Sequence, residues 1–339
     1  MQFGEIPLDR AFGAIVAHSV EADGHKFRKG HRLTKKDIKT LHSTGVEMIT
    51  VAILADGDFH EDQAADRIAQ LIVGENIKRS TASTGRVNLY ANQRGVLLYD
   101  RQHLDALNLV DESITCAALH PHEVVDAGQM IATVKIIPYA ISGRTFEACE
   151  RTMAQSPTLF RVPKLRPKRV ALLQTRLSKT RDKALQKTSR VTTARIEGLG
   201  GRIVAEQTCP HVAADISAAL NEMKSHKPEI VIISGATAIS DRGDVIPLGI
   251  EQMGGSLIHF GMPMDPGNLL LLAALNDTTP VIGLPGCAKS PKFNGFDIVL
   301  ANLMAGQKLT GADIMKLGAG GLLQEIRSRP MPREQVEQS

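Results

Sequence analysis

The chain has 339 residues, 43% of them hydrophobic and 22% charged, with a formal net charge of +4, no Trp and three Tyr. That length and mix suit two or three domains with buried cores. No apolar run is long enough for a membrane helix, and the mild charge and scarce aromatic rings argue against a nucleic-acid surface. Met1-Gln-Phe-Gly-Glu-Ile-Pro7 shows no basic stretch followed by an apolar core, so a cytoplasmic location is expected. Cys116, Cys149, Cys209 and Cys287 lack CxxC spacing, which points to neither a zinc site nor a disulfide framework.

Residues 1–75 read as a first α+β region. An extended start (3–20) leads to Thr34-Lys-Lys-Asp37, a helix start close to a capping box, with Ile38 and Leu41 on one face and a stop at Gly45. A strand is predicted over 46–54 and an amphipathic helix over 61–73. Residues 76–160 are richer in strands, predicted over 95–99 and 131–137, with a turn at Asp126-Ala-Gly128. His120-Pro-His122-Glu123 has metal-ligand residue types, but the proline and the lack of further partners favour a surface turn. The basic, Pro-containing stretch 161–168 is the linker candidate.

From Arg169 the pattern becomes βαβ. Strands are predicted over 170–174, 202–205, 230–233, 256–260, 269–272 and 280–284. Helices are predicted over 184–199, 213–224, 247–253 and 293–305, several of them stopped by glycine pairs. Such alternation implies an α/β domain over 169–308, with a mainly parallel, doubly wound sheet. The smaller α+β regions precede it, and a looser tail, 309–339, follows.

Three loops are candidates for chemistry at the carboxyl edge of this sheet. In the first, the apolar Val231-Ile-Ile233 gives way to Ser234, Gly235, Ala236 and Thr237, and then to Asp241 and Asp244. Small residues let backbone N–H groups approach an anion or a ring, and the acids could hold a metal ion. Capping of the next helix by Asp244 is the structural alternative. The second loop contains Asp265, Pro266 and Gly267, and the third contains Pro285, Gly286, Cys287, Lys289 and Ser290. Each Pro-Gly pair taken alone reads as a tight turn; three such loops at matching strand ends read as a site. Arg176, Lys179, Arg181 and Lys183, after the first strand, suit a phosphate or a solvated charged loop equally.

On these residues, 169–305 resembles the molybdopterin-binding domain of molybdopterin adenylyltransferases and molybdenumtransferases, which a nucleotide-hydrolase branch also carries. Ser234-Gly-Ala-Thr-Ala238 and Asp244-Val-Ile-Pro247 stand for the family's [ST]-G-G-x-[GS] and Asp-Val-x-Pro, with Ala236 for the second Gly and one extra spacer residue. Asp265-Pro-Gly-Asn268 and Leu284-Pro-Gly-Cys287 follow in the order of the transferases' Pro-Gly-Lys and Leu-Pro-Gly-Asn loops. Asn268 replaces the Lys, Cys287 replaces the Asn, and His211 stands near an expected Asp.

The resemblance implies binding of molybdopterin or adenylylated molybdopterin, with Mg²⁺ on Asp244 and Asp241 and molybdate as the metal source. Arg176, Lys179 or Lys289 would supply the charge missing at Asn268, and Gly235, Gly267 and Gly286 the close backbone contacts. It also implies a homo-oligomer, at least a dimer, with a nucleotidyltransferase or a molybdoenzyme as partner. A non-enzymatic carrier, with Cys287 meeting the metal or a dithiolene, and a nucleotide pyrophosphatase are the alternatives.

Overall fold

The computed structural model describes residues 1–154, 158–275 and 278–323. The chain separates into two compact units, Met1–Lys164 and Leu165–Ser339. No helix among the described residues is long and apolar enough to cross a membrane.

The first unit holds two main apolar cores. Leu8, Val16, Phe27, Leu33, Leu41 and Val51 form one. It lies at a three-stranded antiparallel sheet in which Met48–Ile53 runs between Gln2–Pro7 and Ile15–Val16. The helix Lys35–Ser43 starts as its sequence predicts: Thr34 Oγ1 accepts from the Asp37 N–H, and the Asp37 carboxylate accepts from the Thr34 N–H. The second core gathers Ala64, Ile68, Ile72, Val87, Leu89, Val134 and Phe146. Its helices Glu61–Ile72 and Gly143–Met153 accompany a four-stranded antiparallel sheet ordered Ile114–Ala118, Met130–Ile136, Arg86–Ala91, Ile77–Arg79. The helix Glu61–Ile72 therefore packs with residues that follow it, and the change of core falls near residues 54–59, ahead of the expected break at 75.

Several segments of this unit differ from expectation. The strand expected over 95–99 is only Gly95–Val96, because the chain beyond it bridges singly to Arg161. The expected linker also divides. Arg161 and Lys164 pair with Leu98 and Gly95 in the first unit, whereas the Arg166 N–H donates to the Met304 carbonyl in the second.

In the second unit the elements are β1 (Arg169–Arg176), α1 (Asp182–Gly198), β2 (Arg202–Pro210), α2 (Ala213–Met223), β3 (Ile230–Ser234), α3 (Val245–Gln252), β4 (Gly255–Phe260), β5 (Leu271–Leu275), β6 (Thr279–Gly283), α4 (Gly295–Met304) and α5 (Gly311–Met315). They build a six-stranded, mostly parallel sheet in the order β2-β1-β3-β6-β5-β4. Within it, β5 runs antiparallel to both β6 and β4.

Alternation along the strands sends Ala171, Leu173, Val231, Ile233, Ala273 and Val281 into a core with Ile216 and Leu220 of α2 and Ile246 and Ile250 of α3. The intervening Val170, Leu172, Ile230, Ile232 and Ile282 are equally buried. Both faces of the sheet are covered, which is why its strands read as unbroken apolar runs. From β1 the chain crosses to β2 on one side and then returns past β1 to β3 on the other. The strand order thus reverses between β1 and β3.

Some boundaries move for physical reasons. β2 extends to Pro210, beyond the expected 205, because an edge strand tolerates the polar Glu206-Gln-Thr208 run. α3 begins two residues early, at Val245, with Pro247 in its first turn, where a missing N–H costs nothing. β5 runs over 271–275, two residues beyond the expected 269, because Leu269 is exposed and Leu271 begins the pairing with Gly283. Residues 311–323, expected as a loose tail, include α5 and then pair back: Asp265 N–H donates to Gly321 O, and Leu323 N–H to Asp265 O. The polar end, 324–339, lies outside the described residues.

Candidate functional site

Because β1, β2, β3, β4 and β6 share one direction, the loops that follow them leave from one edge of the sheet. At the order reversal, between β1 and β3, four of these loops are tied together by side chains. Thr175, at the end of β1, is 1% exposed, and its hydroxyl accepts from the Ala236 N–H at 2.8 Å. The same oxygen lies 2.8 Å from His211 Nδ1, directly after β2. The other ring nitrogen, Nε2, lies 2.9 Å from the hydroxyl of Thr237. His211 is itself fixed by its backbone N–H, which donates to the Arg176 carbonyl at 3.0 Å.

From the loop after β6, Lys289 Nζ donates to the Gly235 carbonyl at 2.7 Å. Lys289 is half-buried, and among the described residues no carboxylate pairs with it. Burial holds its pKa below the usual lysine range. His211 is likewise held below the ordinary histidine value, first by burial and then by the Lys289 charge, against an opposing pull from Asp244. Gly235 is required here, since a Cβ would sit 2.5 Å from Thr237 O and 2.8 Å from Ile246 Cδ1.

The two acids act on the backbone. Asp244 is the N-cap of α3: one carboxylate oxygen accepts from Val245 N–H and the other from the N–H and hydroxyl of Ser240. Burial raises its pKa, but these bonds and the nearby His211 outweigh burial and hold the carboxyl below its ordinary value. Asp241 Oδ1 accepts from Gly243 N–H at 2.7 Å and closes a turn. Among the described residues no group of three His, Cys, Asp or Glu could hold a metal ion, and this includes the His120–Glu123 turn, where Glu123 accepts from His120 N–H.

The remaining candidates are distributed along the same edge. Ser234 is buried at the end of β3. Arg176 turns to Asp182, 3.1 Å away at the start of α1, and donates to the Thr180 carbonyl. Lys179 is exposed. In the second loop, Pro266 O accepts from Gly295 N–H at 3.0 Å. Gly267, at φ +143°, leaves room for that contact, since a Cβ would come 2.9 Å from Gly295 N. The bareness of Gly267 thus serves packing on α4, while Gly286 faces open space. Asp265 lies close enough to Cys287 to raise its thiol pKa, after burial as the main cause. Cys287 is exposed and Pro285 buried.

The third loop is held in shape by Arg195 of α1, a residue with no local sequence signal. Its guanidinium donates to Asp297 at 2.7 Å, to Ala288 O at 2.6 Å, to Ser290 O at 2.7 Å and to Lys292 O at 2.8 Å. Four bonds from a planar, five-donor group fix the curve of residues 288–292 and so the root of Lys289. Thr175 was also missed; a buried threonine ending an apolar strand gives no local sign of its partners.

Comparison with known proteins gives limited likenesses. The family described as "Domain of unknown function (DUF8806)" matches residues 5–53. No curated protein matches. Among solved structures, molybdenum cofactor biosynthesis protein B is 13% identical and similar over 41% of this chain and 88% of its own, with a TM-score of 0.28. The tungsten cofactor synthesizing protein MoaB from Pyrococcus furiosus is 14% identical over 41% of this chain and 91% of its own, with a TM-score of 0.25. The nicotinate-nucleotide pyrophosphorylase from Francisella tularensis is 13% identical over 55% of this chain and 85% of its own, with a TM-score of 0.18. Superpositions this loose carry no function to this chain. Its own residues define a mixed α/β protein with polar and cationic groups gathered at one sheet edge.

Proposed function

We propose that the second unit is a doubly wound domain that binds molybdopterin, or adenylylated molybdopterin, at the carboxyl edge between β1 and β3, within molybdenum cofactor biosynthesis. The observation that supports this most is the half-buried Lys289 ammonium, which pairs with no carboxylate among the described residues and is set at the reversal of strand order. An open α/β sheet takes its ligand in the crevice at that reversal. A partly desolvated ammonium that spends one N–H on Gly235 and meets no other acceptor among the described residues is complemented by an anionic ligand, such as a phosphate.

Asp241 and Asp244 both accept backbone N–H bonds, and among the described residues they belong to no group of three metal-binding side chains; with the phosphates of a ligand, these two carboxylates would be the ones to hold Mg²⁺. Binding and delivery is the proposed role, and metal insertion is the alternative that the AMP measurement below separates from it. In this reading the protein is a cytoplasmic homo-oligomer that passes its ligand to a molybdoenzyme or takes it from a nucleotidyltransferase.

The test is isolation of the full chain followed by oxidative release and fluorescence detection of any bound pterin. Adenylylated molybdopterin should bind without release of AMP. AMP release dependent on molybdate would favour the transferase, and AMP release with no pterin requirement the pyrophosphatase.

A further inference from the structure

We infer that His211 is a positioning residue, held as the neutral Nε2–H imidazole by Thr175, which leaves the Thr237 hydroxyl free to donate to an anionic oxygen of the ligand while Lys289 supplies the positive charge. The identity of the ligand rests on the reading above; the assignment of the protons does not.

Thr175 is 1% exposed, and its oxygen already accepts from Ala236 N–H. Its own proton needs an acceptor, and among the described residues His211 Nδ1 is the one in reach, at 2.8 Å. Nδ1 therefore carries no proton. A neutral ring then holds its proton on Nε2, which donates to Thr237 Oγ1 at 2.9 Å. Thr237 is exposed and its oxygen is already serving as an acceptor, so its own proton is free for a ligand.

The two other proton arrangements fail at the same atom. An Nδ1–H tautomer, or a charged ring, would face the Thr175 hydroxyl with a proton and leave the buried Thr175 O–H without an acceptor. The charged groups around the ring are Asp244, which favours protonation, and Lys289, which opposes it along with burial.

It follows that His211 does not take a proton from Thr237, and Thr237 is not an activated nucleophile. The hydroxyl and ammonium belong to one construction: Lys289 holds the Gly235 carbonyl two residues before Thr237. Such a pair recognises a phosphate or pyrophosphate oxygen by a neutral and a charged donor together.

The direct test is ¹H–¹⁵N correlation of the His211 ring in the full-length protein at pH 7.5. The expected spectrum has a protonated Nε2 and an unprotonated Nδ1. In Thr175→Val, with folding checked by circular dichroism, that preference should be lost. Inorganic pyrophosphate, titrated calorimetrically, should bind the wild type roughly tenfold more tightly than Thr237→Val or Lys289→Met. Thr237→Ser should bind like the wild type, which a purely structural role for the methyl-bearing side chain would not give. A proton on Nδ1, a charged ring, no pyrophosphate binding, or equal binding by Thr237→Val each overturns the inference. Pyrophosphate binding in this pattern with no pterin bound would sink the pterin reading and leave this one standing.

Discussion

The buried Thr175 hydroxyl meets His211 Nδ1 at 2.8 Å, joining the end of one strand to the residue that follows its neighbour in the sheet. These residues are 36 positions apart, yet the contact sets where Thr237 and Ala236 stand. Truncation of His211 to Ala removes the acceptor and strands a buried hydroxyl, at a cost of about 1–3 kcal/mol. Urea unfolding should show that loss. Thr175→Val also takes the acceptor from the Ala236 N–H, so the double variant should lose less than the sum of the two single losses without regaining the stability of the wild type; simple additivity would show that the residues are not coupled.

Acid should weaken the fold in two stages. His211 is held below its ordinary value, so the unfolded chain binds its proton more readily than the folded one. Its contribution is full above about pH 6.5 and is lost as pH falls from there toward the lowered folded value. Asp244 is also depressed, and its contribution is full above about pH 3.9 and lost on further acidification. Melting temperature against pH should lose the upper stage in His211→Gln. The lower stage should shrink but persist in Asp244→Asn, which keeps the helix cap, because Asp37, Asp58, Asp111 and Glu229 are also held below their ordinary values. An upper stage unchanged in His211→Gln would assign it to another group.

Arg195 should be costly to replace although it touches no proposed ligand. Asp297 is mostly buried, which raises its pKa against the pull of Arg195, and Arg195→Met removes the charged donor from that carboxylate and from three carbonyls, although Asn294 still donates to Asp297 and to Lys292 O. A loss of about 3–5 kcal/mol is expected by chemical denaturation. Faster amide exchange over 286–292 should accompany it.

Much of the second unit could be read from its residues because β1, β3 and β5 are apolar runs and glycines follow α1 and α3. Val231-Ile-Ile233 and the capping Asp244 are local signals. The first unit was harder to read. Its short antiparallel strands, such as Arg86–Ala91 with buried Val87, Leu89 and Ala91, are broken by polar residues of equal number. The candidate site was legible as loops and not as contacts. Arg195 lies inside a helix and reads as a solvent-facing charge, yet its bonds reach 93 to 102 positions along the chain. Such pairings are set by the order of strands in the sheet, which no local pattern encodes.

Thiol chemistry should divide the cysteines. Burial pushes Cys116 up to about 12, and Cys149 and Cys209 up to about 11, and all three are buried. Cys287 is exposed. A disulfide reagent at pH 8 should label one thiol quickly in the native protein and the other three only on unfolding. Loss of the fast phase in Cys287→Ser assigns it.

In the proposed function, the carboxyl edge around Lys289 and Thr237 holds an anionic pterin. The most direct measurement is the pterin content of the full-length protein as isolated, compared with Lys289→Met prepared in parallel. The expected result is a fluorescent oxidised pterin in the wild type and a drop of roughly tenfold in the variant. A wild type that carries no pterin and fails to bind added molybdopterin would contradict the account.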